Sequence, residues 1–334
     1  MINRREWIAA GGALALAQYS ISAAAQSVWP SKAIRLVVPF APGGTSEIVA
    51  RSVAAEMSKV LSHSIYVENK PGGAGVIAMQ DVAKSTPDGH TLILGHVGTL
   101  AVNPYMLSNQ PYDVNRDFIP VTLLARVPNV FVIHPDVPAN NLVEFVRYAK
   151  KNPGLLNYGT AGNASAGHLA MEYLKISTGM FMTHIPYRGT GPQLTDLISG
   201  RTQASSAGLP ALSPFIKSGK LRAIAVGTQK RIPALPDVPT VAESGPALGL
   251  GRTLENFETS QWYGILAPAG TPPDLVKRIQ EEAFKALKSS AVTERFANDN
   301  SIGGGGSSAE FAKFIQGEQK IWKEIVARAK IKVD

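Results

Sequence analysis

Short apolar runs alternate with amphipathic stretches from Ile34 onward, and no other feature constrains the fold as much. The rhythm is that of a parallel α/β sheet. Residues 34–38 read as a strand. A helix near 46–60 follows, in which Ile48, Val49, Val53, Met57 and Val60 repeat at helical spacing. Next come a strand at 64–67, a turn at 69–73, a helix through Met79 and Val82, and a strand at 91–94. Residues 126–133 read as a long strand, and Asn140 or Asn141 would cap a helix over 142–150. The pattern then restarts, with strands at 156–158, 183–185, 203–206 and 221–226 and helices near 165–177 and 193–199. A late strand at 261–266 and three helices close the chain. The last, over 309–329, would place Phe311, Phe314, Ile315, Ile321, Trp322 and Ile325 on one face. Residues 245–251 and 303–306 are glycine-rich and read as loops.

Two α/β runs followed by one late strand imply an α/β protein of two similar domains with a cleft between them. The chain would leave the first domain near Pro128 and return near Gly251. The first would then comprise residues 27–128 and 252–334, and the second 129–251. A length of 334 residues suits two such cores.

The N-terminus has the order of an export signal: Arg4 and Arg5, an apolar run from Trp7 to Gln18, then Ala23-Ala24-Ala25 before a mature start at Gln26. The arginine pair leaves both the general and the folded-export route open. No later segment reaches about 18 uninterrupted apolar residues, so the expected location is the periplasm. The chain has no cysteine, which removes thiolate metal sites, iron–sulfur clusters and cysteine nucleophiles. Its six histidines show no metal-ligand spacing. The net charge of +8 comes from scattered Lys and Arg without interleaved aromatics, which argues against nucleic acid as a partner.

Two strand–helix junctions share one build. Residues 34–40 run into Ala41-Pro42-Gly43-Gly44-Thr45-Ser46-Glu47, and Leu156-Asn157-Tyr158-Gly159 runs into Thr160-Ala161-Gly162-Asn163-Ala164-Ser165. Such turns leave the first N–H groups of the helix without partners, at the positive end of its dipole. Two of them facing each other could clamp one carboxylate. An ordinary βα turn with Thr45 or Ser46 as helix cap would have the same sequence. The first turn lacks the Lys of a nucleotide P-loop. The segment from Gly73 to Ala78 fits the dinucleotide fingerprint only loosely and reads as a loop leading to a helix. Asn163–His168 lacks the leading glycine of a nucleophile elbow. Arg188, in a turn with two glycines, could neutralise an acid or form a rim salt bridge. Of Trp262 and Tyr263, neighbours on a strand, one should be core and one could line the cleft.

An ordered set of segments spans almost the whole chain after the signal. It comprises Val38-Pro39-Phe40-Ala41-Pro42-Gly43-Gly44, Val67-Glu68-Asn69-Lys70-Pro71-Gly72-Gly73, Tyr158-Gly159-Thr160-Ala161-Gly162-Asn163, Pro186-Tyr187-Arg188-Gly189, Leu235-Pro236-Asp237-Val238-Pro239 and Ala267-Pro268-Ala269-Gly270-Thr271-Pro272. This set resembles the Bug-type extracytoplasmic solute receptors of tripartite tricarboxylate transporters. The resemblance implies a two-domain Venus-flytrap of the periplasmic binding-protein type, non-enzymatic and monomeric, that delivers a small organic carboxylate to membrane permease subunits. In such receptors the two turns hold one carboxylate, partly through ordered waters. The implied ligand residues are Phe40, Pro42, Gly43, Gly44, Thr45, Ser46 and Glu47 on the first turn. On the second they are Thr160, Ala161, Gly162, Asn163 and Ser165, with Gly98, Thr99, Tyr187, Arg188 and Gly208 completing the cleft. No cofactor, metal or catalytic residue is implied.

Two positions depart from the family pattern. Glu47 stands where Asp is usual, and Arg188 where Lys is frequent. A planar, bidentate guanidinium would suit a second acid group, so a di- or tricarboxylate is expected, aromatic ones included. A sensor subunit of the same fold that signals to a kinase, or an exported α/β hydrolase using Ser165, are the alternative readings.

Overall fold

The computed structural model describes residues 29–329, so the expected signal at 1–25 lies outside the described residues. Ten strands form one curled sheet, eight of them on a single path. They are β1 (Ile34–Val38), β2 (Ile65–Asn69), β3 (Thr91–His96), β4 (Phe118–Ile133), β5 (Asn157–Thr160), β6 (Thr183–Pro186), β7 (Ala204–Gly208), β8 (Arg222–Val226), β9 (Ser260–Pro268) and β10 (Ile302–Gly305). The order is β2-β1-β3-β9-β4-β7-β5-β6, with β8 and β10 also on β4.

Strand β4 is shared between the two lobes. Its first part pairs with β9 and β10, and from Asn129 onward it pairs with β7 and β8. The apolar run along it has no polar face because both faces are covered. Phe131 and Ile133 pack on one side of the second lobe, and Val130 and Val132 on the other. β1 alternates likewise, with Ile34, Leu36 and Val38 on one face and Val37 on the other.

The main helices are α1 (Thr45–Leu61), α2 (Val76–Ala83), α3 (Leu142–Lys151), α4 (Ala166–Thr178), α5 (Thr190–Ile198), α6 (Leu209–Lys217), α7 (Pro273–Leu287), α8 (Ser290–Asn298) and α9 (Ser308–Ala329). α1 buries Val49, Val53 and Met57 of the expected stripe, but Val60 is exposed and Ile48 half-buried, and Ala50, Ala54 and Leu61 complete the buried face instead. Asn141 is the residue that caps α3.

Five expectations are corrected. The sheet is mixed, because β4, with β8, β9 and β10 around it, runs antiparallel to its partners. β4 begins at Phe118 rather than 126, since a register shift beside Pro120 absorbs the residue that cannot donate to the ladder. The glycines at 303–306 supply strand β10: a Cβ on Gly304 would lie 2.4 Å from the Leu123 carbonyl oxygen, so only glycine lets this edge approach β4. On α9, Phe311 and Ile315 are buried, but Ile321 and Ile325 are exposed. The segment 245–251 also contains a 3-10 turn at Pro246–Leu248.

Candidate functional site

Strands β1, β5, β6 and β7 all end at the cleft, and each hands the chain to a helix whose N-terminus faces it. Three of these helices, α1, α5 and α6, begin at a glycine (Gly44, Gly189, Gly208) with no side-chain cap. Away from the cleft, α3 and α8 are capped by Asn141 and Ser289. Omitting the cap leaves N–H groups free for a guest, and the dipoles make that guest anionic. The N–H groups of Thr45, Ser46, Thr190 and Gly191 have no acceptor among the described residues.

The lobes meet across this cleft. Ala41 N–H donates to the Arg188 carbonyl (2.9 Å), and the Thr45 hydroxyl to the Gly208 carbonyl (3.4 Å). Between them lies an inner cavity of about 20 Å³, room for a water molecule or two. Ser46, Ser165, Gly167, Thr190 and Ser206 border it, with His96 and Tyr263 from the first lobe. Phe40 and Ala161 join it to an open outer groove of about 650 Å³, which Gly162, Asn163, Tyr187 and Arg188 border. Neither space is lined by an Asp or Glu.

Of the residues implied by the resemblance, Phe40, Ser46, Ala161, Gly162, Asn163, Ser165, Tyr187 and Arg188 therefore line this space. The others do not reach it in this arrangement. Pro42, Gly43 and Gly44 lie against Gly191 and Thr190 of the opposite lobe. Thr45 and Gly208 bond each other. Glu47 folds back on its own turn, where its carboxylate accepts Gly43 N–H (2.7 Å) and pairs with Arg51 (2.7 Å). The longer arm of Glu47 thus occupies one of the N–H groups expected to serve a ligand. Thr99 is fully buried, and its hydroxyl exchanges hydrogen bonds with the His96 backbone. Gly98 lies beneath the Ala164 carbonyl, where a Cβ would come within 2.4 Å.

Thr160 is a support for the second turn. Its buried hydroxyl accepts Gly162 N–H (3.2 Å) and pairs with His184 Nε2 (2.7 Å). Behind it the rings of Tyr158, His184 and His168 stack, with centroids 4.9 and 4.3 Å apart. Glu172 accepts from the Tyr158 hydroxyl and from Lys175 (2.6 Å). Burial pushes His184 down to about 3 and His168 to about 4; His96, across the cavity, falls to about 3 for the same reason. The unfolded chain takes up these protons near pH 6.5 and the folded chain does not, so stability present above pH 6.5 is lost as pH falls toward 4. Melting curves should fall by about 10 °C between pH 6.5 and 4.5, from these rings alone. A flat melting temperature across that window would count against the buried neutral rings.

Ser165 and His168, the residues of the hydrolase alternative, bond to the turn rather than to each other's side chains. The Ser165 hydroxyl accepts His168 N–H (3.3 Å) as the cap of α4, and His168 Nδ1 accepts Ala164 N–H (3.3 Å). His168 is thereby committed to the turn and the ring stack. The rim salt bridge is likewise not formed, since Arg188 has no carboxylate partner among the described residues. Both members of the pair are core, on opposite faces of the strand: Trp262 is edge-on to Phe314 (5.0 Å), and Tyr263 also borders the inner cavity.

Sequence reasoning passed over His96, Thr190, Ser206 and Gln261 as site residues. A signal existed for two of them. Gly189-Thr190-Gly191 repeats the glycine-rich turn after a strand, and His96 sits at the carboxyl end of β3, where ligands of open α/β sheets bind. Ser206 and Gln261 carry no local signature, because the fold alone brings their strands to the cleft.

Comparison with known proteins agrees with this architecture. The profile of the tripartite tricarboxylate transporter family receptor matches residues 49–331. Protein BugT of Bordetella pertussis is 33% identical over 299 residues, 89% of either chain. The R. palustris protein Rpa4515, solved with adipate, is 35% identical with a TM-score of 0.86 over 91% of this chain and 99% of its own. MatC of Rhodopseudomonas palustris, solved with bound malate, is 32% identical with a TM-score of 0.81 over 89% of this chain and 100% of its own. A two-domain cleft with uncapped helix ends, matched in sequence along most of the chain, places this protein in the receptor family of the tripartite tricarboxylate transporters.

Proposed function

We propose that the protein, after loss of a signal ending at Ala25, captures a small di- or tricarboxylate in the periplasm, aromatic acids included, and delivers it to the permease subunits of a tripartite transporter. The observation that carries this reading is the convergence of uncapped helix N-termini on a cleft lined, among the described residues, by no Asp or Glu, with Arg188 at its outer end free of any carboxylate partner among them. The relatives solved with adipate and malate support it. One acid group sits among the helix ends at the inner cavity, and the second meets Arg188 in the outer groove.

Charge-assisted hydrogen bonds contribute about 1.5–3 kcal/mol each, and a helix dipole up to about 2 more. A few of them from both lobes reach a micromolar constant, about 8 kcal/mol, after the cost of ordering. Because both lobes contribute, ligand favours closure by its differential affinity for the closed form. The lobes hinge where the two crossing segments meet: Gly227 N–H donates to the Asn129 carbonyl and Thr259 N–H to that of Gly227, both at 2.8 Å. On this reading the return crossing lies near Thr259, somewhat beyond Gly251, which is supported by the packing of Leu254 and Phe257 with second-lobe residues.

Calorimetry with succinate, malate, adipate and an aromatic diacid tests this. Arg188→Ala should weaken the best diacid by at least about tenfold and leave a monoacid of equal length unchanged. Unchanged diacid affinity would remove Arg188 from the site.

A further inference from the structure

Two buried side chains at the inner cavity have no hydrogen-bond partner among the described residues: His96 through Nε2 and Ser206 through Oγ. Both are more than nine-tenths buried, with exposures of 4% and 2%. An unmatched buried polar group is costly, so a pair of them facing one cavity points to a guest that matches them.

The chemistry of that guest follows from the His96 tautomer. Gly98 N–H donates to His96 Nδ1 (3.0 Å), which requires a lone pair there and leaves the proton on Nε2. His96 therefore offers an N–H to the cavity. The ring is held by its contact with Phe40, with centroids 4.6 Å apart. Ser206 offers a hydroxyl. These donors are neutral and stand beside the helix ends that attract the carboxylate, so they are suited to an uncharged acceptor next to it. An ammonium in the same place would meet the positive ends of the helices and an N–H, with no Asp or Glu lining the cavity to balance it.

We propose that His96 and Ser206 read the substituent on the carbon next to the inner carboxylate, favouring a 2-hydroxy or 2-oxo acid over the unsubstituted acid and rejecting the 2-amino acid. This deepens the carboxylate-receptor reading and rests on it.

The test is calorimetry with acids differing only at C2: succinate, malate and aspartate, and the longer set adipate, 2-oxoadipate and 2-aminoadipate. In at least one set the oxygenated acid should bind about tenfold tighter or more than the unsubstituted one, with the amino acid weakest. Ser206→Ala should shrink the preference for the oxygenated acid severalfold, weakening the oxygenated acid more than the unsubstituted one. His96→Phe should do the same; if it fails to fold, Ser206→Ala decides alone. Equal binding of oxygenated and unsubstituted acids, tighter binding of the amino acid, or a preference indifferent to Ser206→Ala overturns the proposal and leaves the carboxylate reading standing. Binding of none of the six acids removes the aliphatic-diacid form of that reading, and the proposal with it.

Discussion

Gly191→Ala is expected to weaken carboxylate binding about a hundredfold and to leave the melting temperature within about 2 °C of the parent. A Cβ at this position would lie 2.1 Å from the Pro42 carbonyl oxygen and 3.2 Å from its carbonyl carbon, both in the opposite lobe. Backbone cannot move aside as a flexible side chain would. The lobes would have to separate, which breaks the 2.9 Å bond from Ala41 to Arg188 and moves the α1 N-terminus from the guest held by the second lobe. The second lobe itself is untouched, because Gly191 lies in the first turn of α5, where alanine is the better helix former. Binding should suffer where folding does not. Calorimetry gives the affinity, and small-angle scattering should show a larger radius of gyration with ligand than the liganded parent has. Parental affinity in the alanine protein would show that closure onto this contact is not part of binding.

Gly191 also marks how far the sequence alone could reach. Local order was legible: the centre of the α1 stripe at Val49, Val53 and Met57, a cap at Asn140 or Asn141, and the strand β1 each follow from residue type and spacing within a short window. Long-range pairing was not. The strand β10 looks like a loop in any window, because its glycines are chosen by the Leu123 backbone opposite and not by their neighbours. At the site, the first turn was found by its glycines, yet the surface it touches across the cleft is the turn at 188–191. Thr99 illustrates the reverse error: a polar residue after a strand end looks available, but its hydroxyl is spent on the His96 backbone. His96 and Ser206 become visible only once the fold shows that their polar atoms are left over.

Gly167→Ala should act in the opposite sense, on stability first. A Cβ here would lie 2.0 Å from the Ser206 carbonyl oxygen, and both residues belong to the second lobe, where α4 packs on β7. Alanine gains about 1 kcal/mol of helix propensity, but the overlap forces α4 off the sheet, and overpacking of this kind costs typically 1–3 kcal/mol and sometimes more. At 2.0 Å from backbone the upper end applies, for a net loss of about 2 kcal/mol and, in a chain of this length, a melting temperature lower by about 3 °C. Binding should weaken as well, because Gly167 borders the inner cavity and the shift carries the α4 N-terminus with it. The two glycines thus separate contacts between lobes from contacts within one. If Gly167→Ala melted like the parent while Gly191→Ala melted early, the contact at residue 191 would be part of the folded core and the closing motion would have to lie elsewhere.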